Sequence, residues 1–407
     1  MSSLQRTLIG IAFTFAPAAM GMAMFLAGYS QTHPAWWQAA VHLAVLGGIT
    51  IMIYGVNINA LPTNSGRQWK SEKLVARQLF FGILGAVVSC LGYGFRNEAM
   101  IVSGHIFAFI GAVLFMVNIR LLFSQPGRPR PPVPAGVPVP PQRQVDKLAV
   151  PFTRISSMVL IIATGLDIAL DFWTPAQGRW DLVWGHLMLV GFFFAMASGT
   201  SYHTLARWSG VDFPYIRLIR IHRISFLIAL PAMAIALGWD IDWLFMIGGP
   251  MMALAFACWA INVIPVAWKL KPAMRSGIVM ALLFMIVGVS LGVSFALDPA
   301  LGPRLRSAHV MANLFGFAGL LISGFGYYYI PKLAGSPTIR WKMLTAPHLL
   351  LVALGCAAGI VLMGLRMYGH IEPETVMWAT IPAAAGMLLF AANAAGTFIQ
   401  TPSPTVD

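Results

Sequence analysis

Twelve long apolar stretches limit what this 407-residue chain can fold into. Each is about 20 residues long, the length that a helix needs to cross a bilayer. They lie at roughly 9–29, 37–60, 78–95, 100–123, 155–173, 182–205, 218–238, 243–268, 277–297, 308–330, 344–364 and 375–399. Hydrophobic residues make up 58% of the chain, charged residues make up 10%, and the mean hydropathy is +0.77. Because lipid offers the backbone no hydrogen-bond partner, the stretches predict an all-α polytopic membrane protein with twelve transmembrane helices.

The distribution of basic residues predicts how these helices are oriented. If the N-terminus is cytoplasmic, all but five of the 26 Lys and Arg residues fall on the cytoplasmic side. The five on the outer side are Arg96, Arg179, Arg304, Arg306 and Arg366. We therefore expect a multi-pass protein in the lipid bilayer of a bacterial inner membrane, with both termini in the cytoplasm and the first span retained as an anchor. The net charge of +13 then reflects topology, and nucleic-acid binding is not expected.

A short pattern recurs three times within the apolar stretches. A metal-ligating type of side chain is followed by a glycine thirteen residues later, in the pairs His42–Gly55, His186–Gly199 and Met311–Gly324. The third copy has its histidine, His309, two residues before Met311. The recurrence predicts a pseudo-threefold arrangement of four-helix repeats.

The predicted domains follow from this recurrence. Repeat one covers 1–123 (helices 1–4), repeat two covers 154–270 (helices 5–8) and repeat three covers 271–407 (helices 9–12). Residues 124–153 contain nine prolines and are interpreted as a cytoplasmic linker. Such a composition favours an extended polyproline conformation, and the alternative is a docking site for a proline-binding partner.

The histidines of the pattern are the leading candidates for a functional site. His42, His186 and His309 are predicted to lie at similar shallow depth below the outer surface. Ionisable side chains inside a bilayer are costly unless they are paired or ligated. Imidazoles at one depth around a shared axis favour haem or metal binding, whereas helix-to-helix hydrogen bonding is the alternative for each. His105 is a candidate of second rank for the same layer.

For several other side chains the sequence leaves two possible roles open. Met311 could be a thioether ligand of haem iron or could simply pack in the core. Arg304, Arg306 and Arg366 could neutralise haem propionates or extend to the membrane surface. A second set, His222 and His348, lies beside basic residues at the predicted cytoplasmic ends of spans and is expected to anchor the helices at the interface.

The segment from Ala308 to Pro331 resembles the tenth helix of haem–copper oxidase subunit I. In that family an Ala-His-x-His start supplies one histidine to the high-spin haem and the next to the low-spin haem. The resemblance implies that His309 is the high-spin ligand, and Met311 stands where the second histidine is expected. Gly185–His186 is similar to the sixth-helix segment whose histidine binds copper. Gly364–Tyr368 is similar to the family's Arg-Arg-Tyr propionate clamp with one arginine missing.

The chain also departs from the oxidase pattern. Span seven ends in Ala236–Trp239 and lacks the His-His pair of the copper site, so copper at His186 stays an open question. Val190 replaces the tyrosine that follows the copper ligand, no glutamate follows His186, and span eight has no lysine inside it. A proton-pumping oxidase is therefore not expected.

The segment from Gly55 to Arg67, with His42 upstream, is similar to a segment of the NnrS family. These are membrane proteins that contain haem and copper and are linked to relief of nitric oxide stress. The chain lacks that family's double histidine and glutamate, and resembles a divergent NnrS-like member of the haem–copper oxidase superfamily.

The resemblance implies one or two haem b groups near the outer face. His309 would bind an open iron, His186 would face the gas-binding side, and His42 with Met311 would hold a second haem. The expected chemistry is binding or reduction of a diatomic gas, nitric oxide or oxygen. An oxidoreductase is therefore a possible but open assignment. The candidate partners are a quinol or cytochrome electron donor and further copies of the chain in a homo-oligomer. No catalytic residue is assigned.

Two other classes of function remain open at this point. One is a transporter or a permease that handles metal or haem, and helices interrupted at Pro231, Pro250 or Pro382 would favour it. The other is a non-catalytic subunit that binds haem for assembly.

Overall fold

The computed structural model describes residues 1–127, 141–173, 177–298 and 300–399. Within them the chain forms twelve helices long and apolar enough to cross a membrane, and no strand. The helices are α1 (Ser3–Tyr29), α2 (Trp36–Ser65), α3 (Glu72–Phe95), α4 (Glu98–Phe123), α5 (Pro141–Phe172), α6 (Gly178–Ser209), α7 (Ile216–Trp239), α8 (Asp242–Ala267), α9 (Pro272–Leu297), α10 (Leu301–Ala334), α11 (Lys342–Met367) and α12 (Pro373–Ile399). The predicted all-α class and the number of spans are confirmed.

The helices form two compact units. The first contains the described residues of Met1–Gly127, Ser276–Leu291 and Ala300–Asp407, and the second those of Arg128–Arg275 and Gly292–Pro299. In the first unit α1 packs along α12, α3 packs along α4, and α11 packs along α12. In the second unit α7 packs along α8, and α5 packs along α6. The division of the chain into three repeats stays a prediction.

The three helices that carry the recurring pattern share two uncommon features. Each contains an eight-residue π-helical segment: Leu43–Thr50 in α2, Leu187–Phe194 in α6 and Met311–Ala318 in α10. Each also ends on a glycine in the left-handed region: Gly66 (φ 66°), Gly210 (φ 73°) and Gly335 (φ 71°). These glycines all lie eleven residues after the glycine of the pattern. Because π-helical turns are rare and often found at functional sites, they draw attention to the histidines beside them.

Part of the predicted linker is helical. Because α5 begins at Pro141, residues 141–153 belong to a helix, and the extended conformation expected for them was wrong. A proline in the first turn of a helix lacks only an N–H group that would have no intrahelical partner there. An ion pair between Asp146 and Arg207, 2.6 Å apart, also holds this part of α5 against α6. Residues 128–140 of the predicted linker lie outside the described residues.

Three prolines do not interrupt their helices. The helices α7, α8 and α12 continue through Pro231, Pro250 and Pro382. Interruption at these positions was the feature that would have favoured a transporter.

Candidate functional site

His42 lies on α2, directly before the π-helical segment, and its side chain is buried. Its Nδ1 lies 2.9 Å from the carbonyl oxygen of Gln38, four residues earlier. A carbonyl can only accept a hydrogen bond, so Nδ1 carries the proton. A neutral ring with this tautomer has its lone pair on Nε2, which is the form in which imidazole binds a metal.

His186 repeats this geometry in the second unit. It also directly precedes a π-helical segment, and its Nδ1 donates to the carbonyl of Leu182 at 2.7 Å, again four residues earlier. The two histidines share a position in the sequence pattern, the same tautomer and the same carbonyl partner within their own helix.

His309 reaches the same tautomer by another route. Its Nδ1 lies 2.9 Å from the carbonyl oxygen of Gly288, which belongs to α9 and not to its own helix. Asn313, one turn further along α10, donates from its amide to the carbonyl of His309 at 3.0 Å. A side chain on Gly288 would collide with this amide, since an added Cβ would lie 2.3 Å from the Asn313 side chain. Because Gly288 has no side chain, α9 can approach α10 closely enough for its carbonyl to accept the proton of His309.

The ring of His42 is held by two aromatic neighbours from α3 and α4. Its centroid lies 4.4 Å from that of Tyr93 and 5.4 Å from that of His105, whose ring is inclined by 22°. The Tyr93 hydroxyl lies 3.5 Å from Nε2 of His105. Ring nitrogens of the two histidines lie within 4.8 Å of each other, so they could also share a metal ion. His42, Tyr93 and His105 are called the three-ring cluster below.

Close packing of α3 on α4 puts Tyr93 and His105 in this place. A Cβ added at Gly104 would lie 2.4 Å from the backbone nitrogen of Ser89, and one added at Gly92 would lie 2.6 Å from that of Ile101. From the sequence, His105 was a candidate of second rank and Tyr93 was not a candidate. The available signal was a seven-residue glycine spacing on consecutive helices, at Gly85 and Gly92 and again at Gly104 and Gly111.

Met311, Arg304, Arg306 and Arg366 all belong to the first unit, with His42 and His309. Met311 is fully buried, and its methyl group lies 3.2 Å from where a Cβ would stand on Gly359 of α11. This contact fits a packing role, and the thioether role stays a prediction.

The three arginines differ in their surroundings. Arg366 donates a hydrogen bond to the side chain of Gln31, and the guanidinium of Arg304 lies 5.8 Å from the ring centre of Tyr368. Arg306 is exposed. Their pairing with haem propionates stays a prediction.

His186 borders a narrow apolar crevice in the second unit. The crevice is lined by His186, Leu187, Val190, Leu230, Met233, Ala234 and Met252. Towards the end of α7, where the oxidase resemblance places a histidine pair, Gly238 packs against the indole of Trp180. The described residues at this end of α7 therefore offer no nitrogen ligand, and they do not fit the copper site of the oxidase pattern.

The expectation that His222 and His348 anchor helices at the membrane interface was wrong. Both side chains are fully buried. Each imidazole is hydrogen-bonded through Nδ1 to a tyrosine hydroxyl, that of Tyr202 at 2.9 Å and that of Tyr327 at 2.7 Å. Aromatic packing encloses them as well, since the ring of Phe390 stacks on His348 at 4.8 Å. The basic residues near them in sequence gave a misleading signal.

Comparison with known proteins defines the fold. No protein-family model matches the chain, and no curated protein matches it in sequence. Among solved structures it is similar to a heme-copper terminal oxidase dimer, with a TM-score of 0.73 at 13% sequence identity. The match covers 99% of this chain and 85% of that chain. The chain is therefore a multi-pass membrane protein with the fold of the haem–copper oxidase superfamily, as the residues of α10 suggested.

Proposed function

We propose that this protein binds haem b and uses it to bind or reduce a diatomic gas, nitric oxide or oxygen. The observation that carries the proposal is that three histidines on a haem–copper oxidase fold have the same tautomer and the same kind of hydrogen-bond partner. His42, His186 and His309 each donate an Nδ1 proton to a backbone carbonyl. Histidines that ligate metals almost always donate their other ring N–H in this way, because the bond fixes both the tautomer and the orientation of the ring.

The residues present fit haem better than they fit copper. His309 would hold one haem through its iron, and His42, supported by Tyr93 and His105, would hold a second haem with Met311. Bound haem would supply a coordination site for the gas and a route for an electron. His186 is also proposed to bind a metal in the second unit, although the other histidine ligands of the oxidase copper site are missing from the end of α7.

The protein's own residues would position the haem and limit its surroundings. The carbonyls of Gln38 and Gly288 would hold the rings of His42 and His309. Arg304, Arg306 and Arg366 are proposed to pair with propionates, and Arg366 would exchange its bond to Gln31 for one of them. A proton-pumping cycle is not proposed, because the acidic and lysine residues that it would use are missing from the corresponding spans.

The biological setting belongs to the same proposal. The NnrS-like segment of α2 supports a role in nitric oxide stress or respiration, with a quinol or cytochrome as electron donor. The similar oxidase was seen as a dimer, which supports a homo-oligomer here. The uninterrupted α7, α8 and α12 weigh against the transporter alternative.

Spectroscopy of the purified full-length protein tests this function. We expect a Soret band, a pyridine haemochrome of haem b, and a shift of the band when carbon monoxide or nitric oxide is added to the reduced protein. His309→Ala should abolish the gas-induced shift. His370→Ala is the matched control, because His370 is exposed and should leave the spectrum unchanged. A protein without a Soret band, or a His309→Ala variant with the wild-type response, would contradict the proposal.

A further inference from the structure

The helices α10 and α11 form a polar triad in which both nitrogens of the buried His348 ring are paired. The Tyr327 hydroxyl lies 2.7 Å from Nδ1 of His348, and Ser323 Oγ lies 3.2 Å from its Nε2. The proton of Ser323 is directed to the carbonyl of Gly319 at 2.8 Å. With the Ser323 proton on Gly319, Nε2 of His348 is the donor to Ser323, and Tyr327 donates to Nδ1.

The same residue types recur on α6 and α7 in the second unit. Ser198 directly precedes the glycine of the pattern, as Ser323 does, and Tyr202 follows four residues later, as Tyr327 does. The hydroxyl of Tyr202 lies 2.9 Å from Nδ1 of His222. Ser198, Tyr202 and His222 are all fully buried. We call these three residues the second triad.

The second triad differs from the first in one respect. Among the described residues, neither Ser198 Oγ nor His222 Nε2 has a hydrogen-bond partner. Residues four apart on a helix lie on the same face, so Ser198 and Tyr202 point towards the same side of α6. If Tyr202 donates to Nδ1 as Tyr327 does, Nε2 of His222 carries a proton that requires an acceptor. Buried polar groups are almost always hydrogen-bonded, so two unpaired atoms in one triad call for a ligand.

We propose that the second triad binds one buried water molecule, which links His222 Nε2 to Ser198 Oγ. A water oxygen can accept the Nε2 proton and also bond the serine hydroxyl, which completes the hydrogen bonding that the first triad makes directly. The three side chains are completely buried, and the ring of Phe152 packs 4.5 Å from that of His222. Water is the smallest molecule that can make both hydrogen bonds. This site is independent of the proposed haem function.

The direct test is an electron cryo-microscopy map of the full-length protein at a resolution that shows ordered water. We expect an isolated peak within hydrogen-bond distance of both His222 Nε2 and Ser198 Oγ, and none between Ser323 and His348. A continuous feature larger than one atom would overturn the assignment to water. The lack of any peak at the second triad in a map that shows other buried waters would overturn the site itself.

Thermal unfolding of serine variants provides a test that does not depend on resolution. If water bridges the second triad, Ser198→Ala removes one of its partners and should lower the Tm by about 2 °C. Ser323→Ala is the matched control and should lower the Tm in any case, because Ser323 accepts from His348 directly. If Ser198 were simply unpaired, its removal would leave the Tm unchanged or raise it, and that result would overturn the proposal.

Discussion

His309 depends on two neighbours whose positions are linked. Gly288 provides the carbonyl that fixes its tautomer, and Asn313 holds its backbone carbonyl. Gly288→Ala would place a methyl group 2.3 Å from the Asn313 amide, which must then move. We expect the variant to weaken haem binding by about 10- to 100-fold, as is usual when a partner of a ligating histidine is disturbed. Haem titration of the apoprotein, followed by the Soret absorbance, measures this loss.

Gly249→Ala is the control for this substitution. Gly249 also lies within a helix, but nothing stands within 4 Å of an added Cβ. It should bind haem as tightly as the unchanged protein. Equal haem affinity for both variants would argue against a ligand role for His309.

The buried Tyr–His pairs should be important for stability. In Tyr327→Phe, Nδ1 of His348 loses its hydrogen-bond donor in a buried setting. Leaving such a group unsatisfied costs about 1–3 kcal/mol of the free energy of unfolding. Chemical denaturation in detergent can measure this difference. Tyr368→Phe should have little effect because Tyr368 is exposed, and a comparable loss in both variants would contradict the explanation.

At the scale of the helix, α2, α6 and α10 end in the same way. Gly66, Gly210 and Gly335 adopt positive φ angles that other residues adopt only at a cost. Gly210→Ala should lower the free energy of unfolding by about 1 kcal/mol, although nothing obstructs the new methyl group. Gly210→Asn should lower the free energy of unfolding by less, since asparagine tolerates the left-handed region. If alanine and asparagine gave the same stability, backbone conformation would not explain the glycine.

Packing between helices gives a sharper prediction for α3 and α4. A Cβ on Gly104 would lie 2.4 Å from the backbone nitrogen of Ser89, and backbone cannot move aside as a flexible side chain can. Gly104→Ala should therefore separate the helices, lower the Tm and loosen the three-ring cluster around His42. Alanine has a higher helix propensity than glycine, so Gly249→Ala should leave the Tm unchanged or raise it slightly. Measuring both Tm values separates steric conflict from helix propensity.

The apolar stretches of the sequence predicted the helices but not the π-helical segments inside three of them. The π-helical segment Leu43–Thr50 is as apolar as the α-helix around it, so composition gives no sign of it. The hydrogen bonds of two buried asparagines were not predicted either. Asn262 bonds the backbone N–H and carbonyl of Tyr215 before α7, and Asn393 does the same for Trp341 before α11. The sequence shows the spacing of such residues but not the backbone that they meet.

At the scale of the whole molecule, the fold could be predicted because hydrophobicity alone specifies twelve spans. The site could be predicted only in part. His309 could be proposed from the sequence because its own segment carries the motif, whereas the contacts of Tyr93 and His105 with His42 depend on how α3 and α4 pack. The burial of His222 and His348 was missed for the same reason, since neighbours in sequence are basic but neighbours in space are aromatic.

The orientation of the molecule in the membrane can be tested with reporters fused at its ends and loops. An even number of spans places both termini on one side, and the basic residues predict that this side is the cytoplasm. A fluorescent protein fused after Ile399 should fold and fluoresce, whereas alkaline phosphatase there should be inactive. Phosphatase inserted between α7 and α8, beside Asp240, should be active on the outer side. The reverse result would place the basic loops outside the cell. It would also put the predicted layer of His42, His186 and His309 on the cytoplasmic side of the membrane.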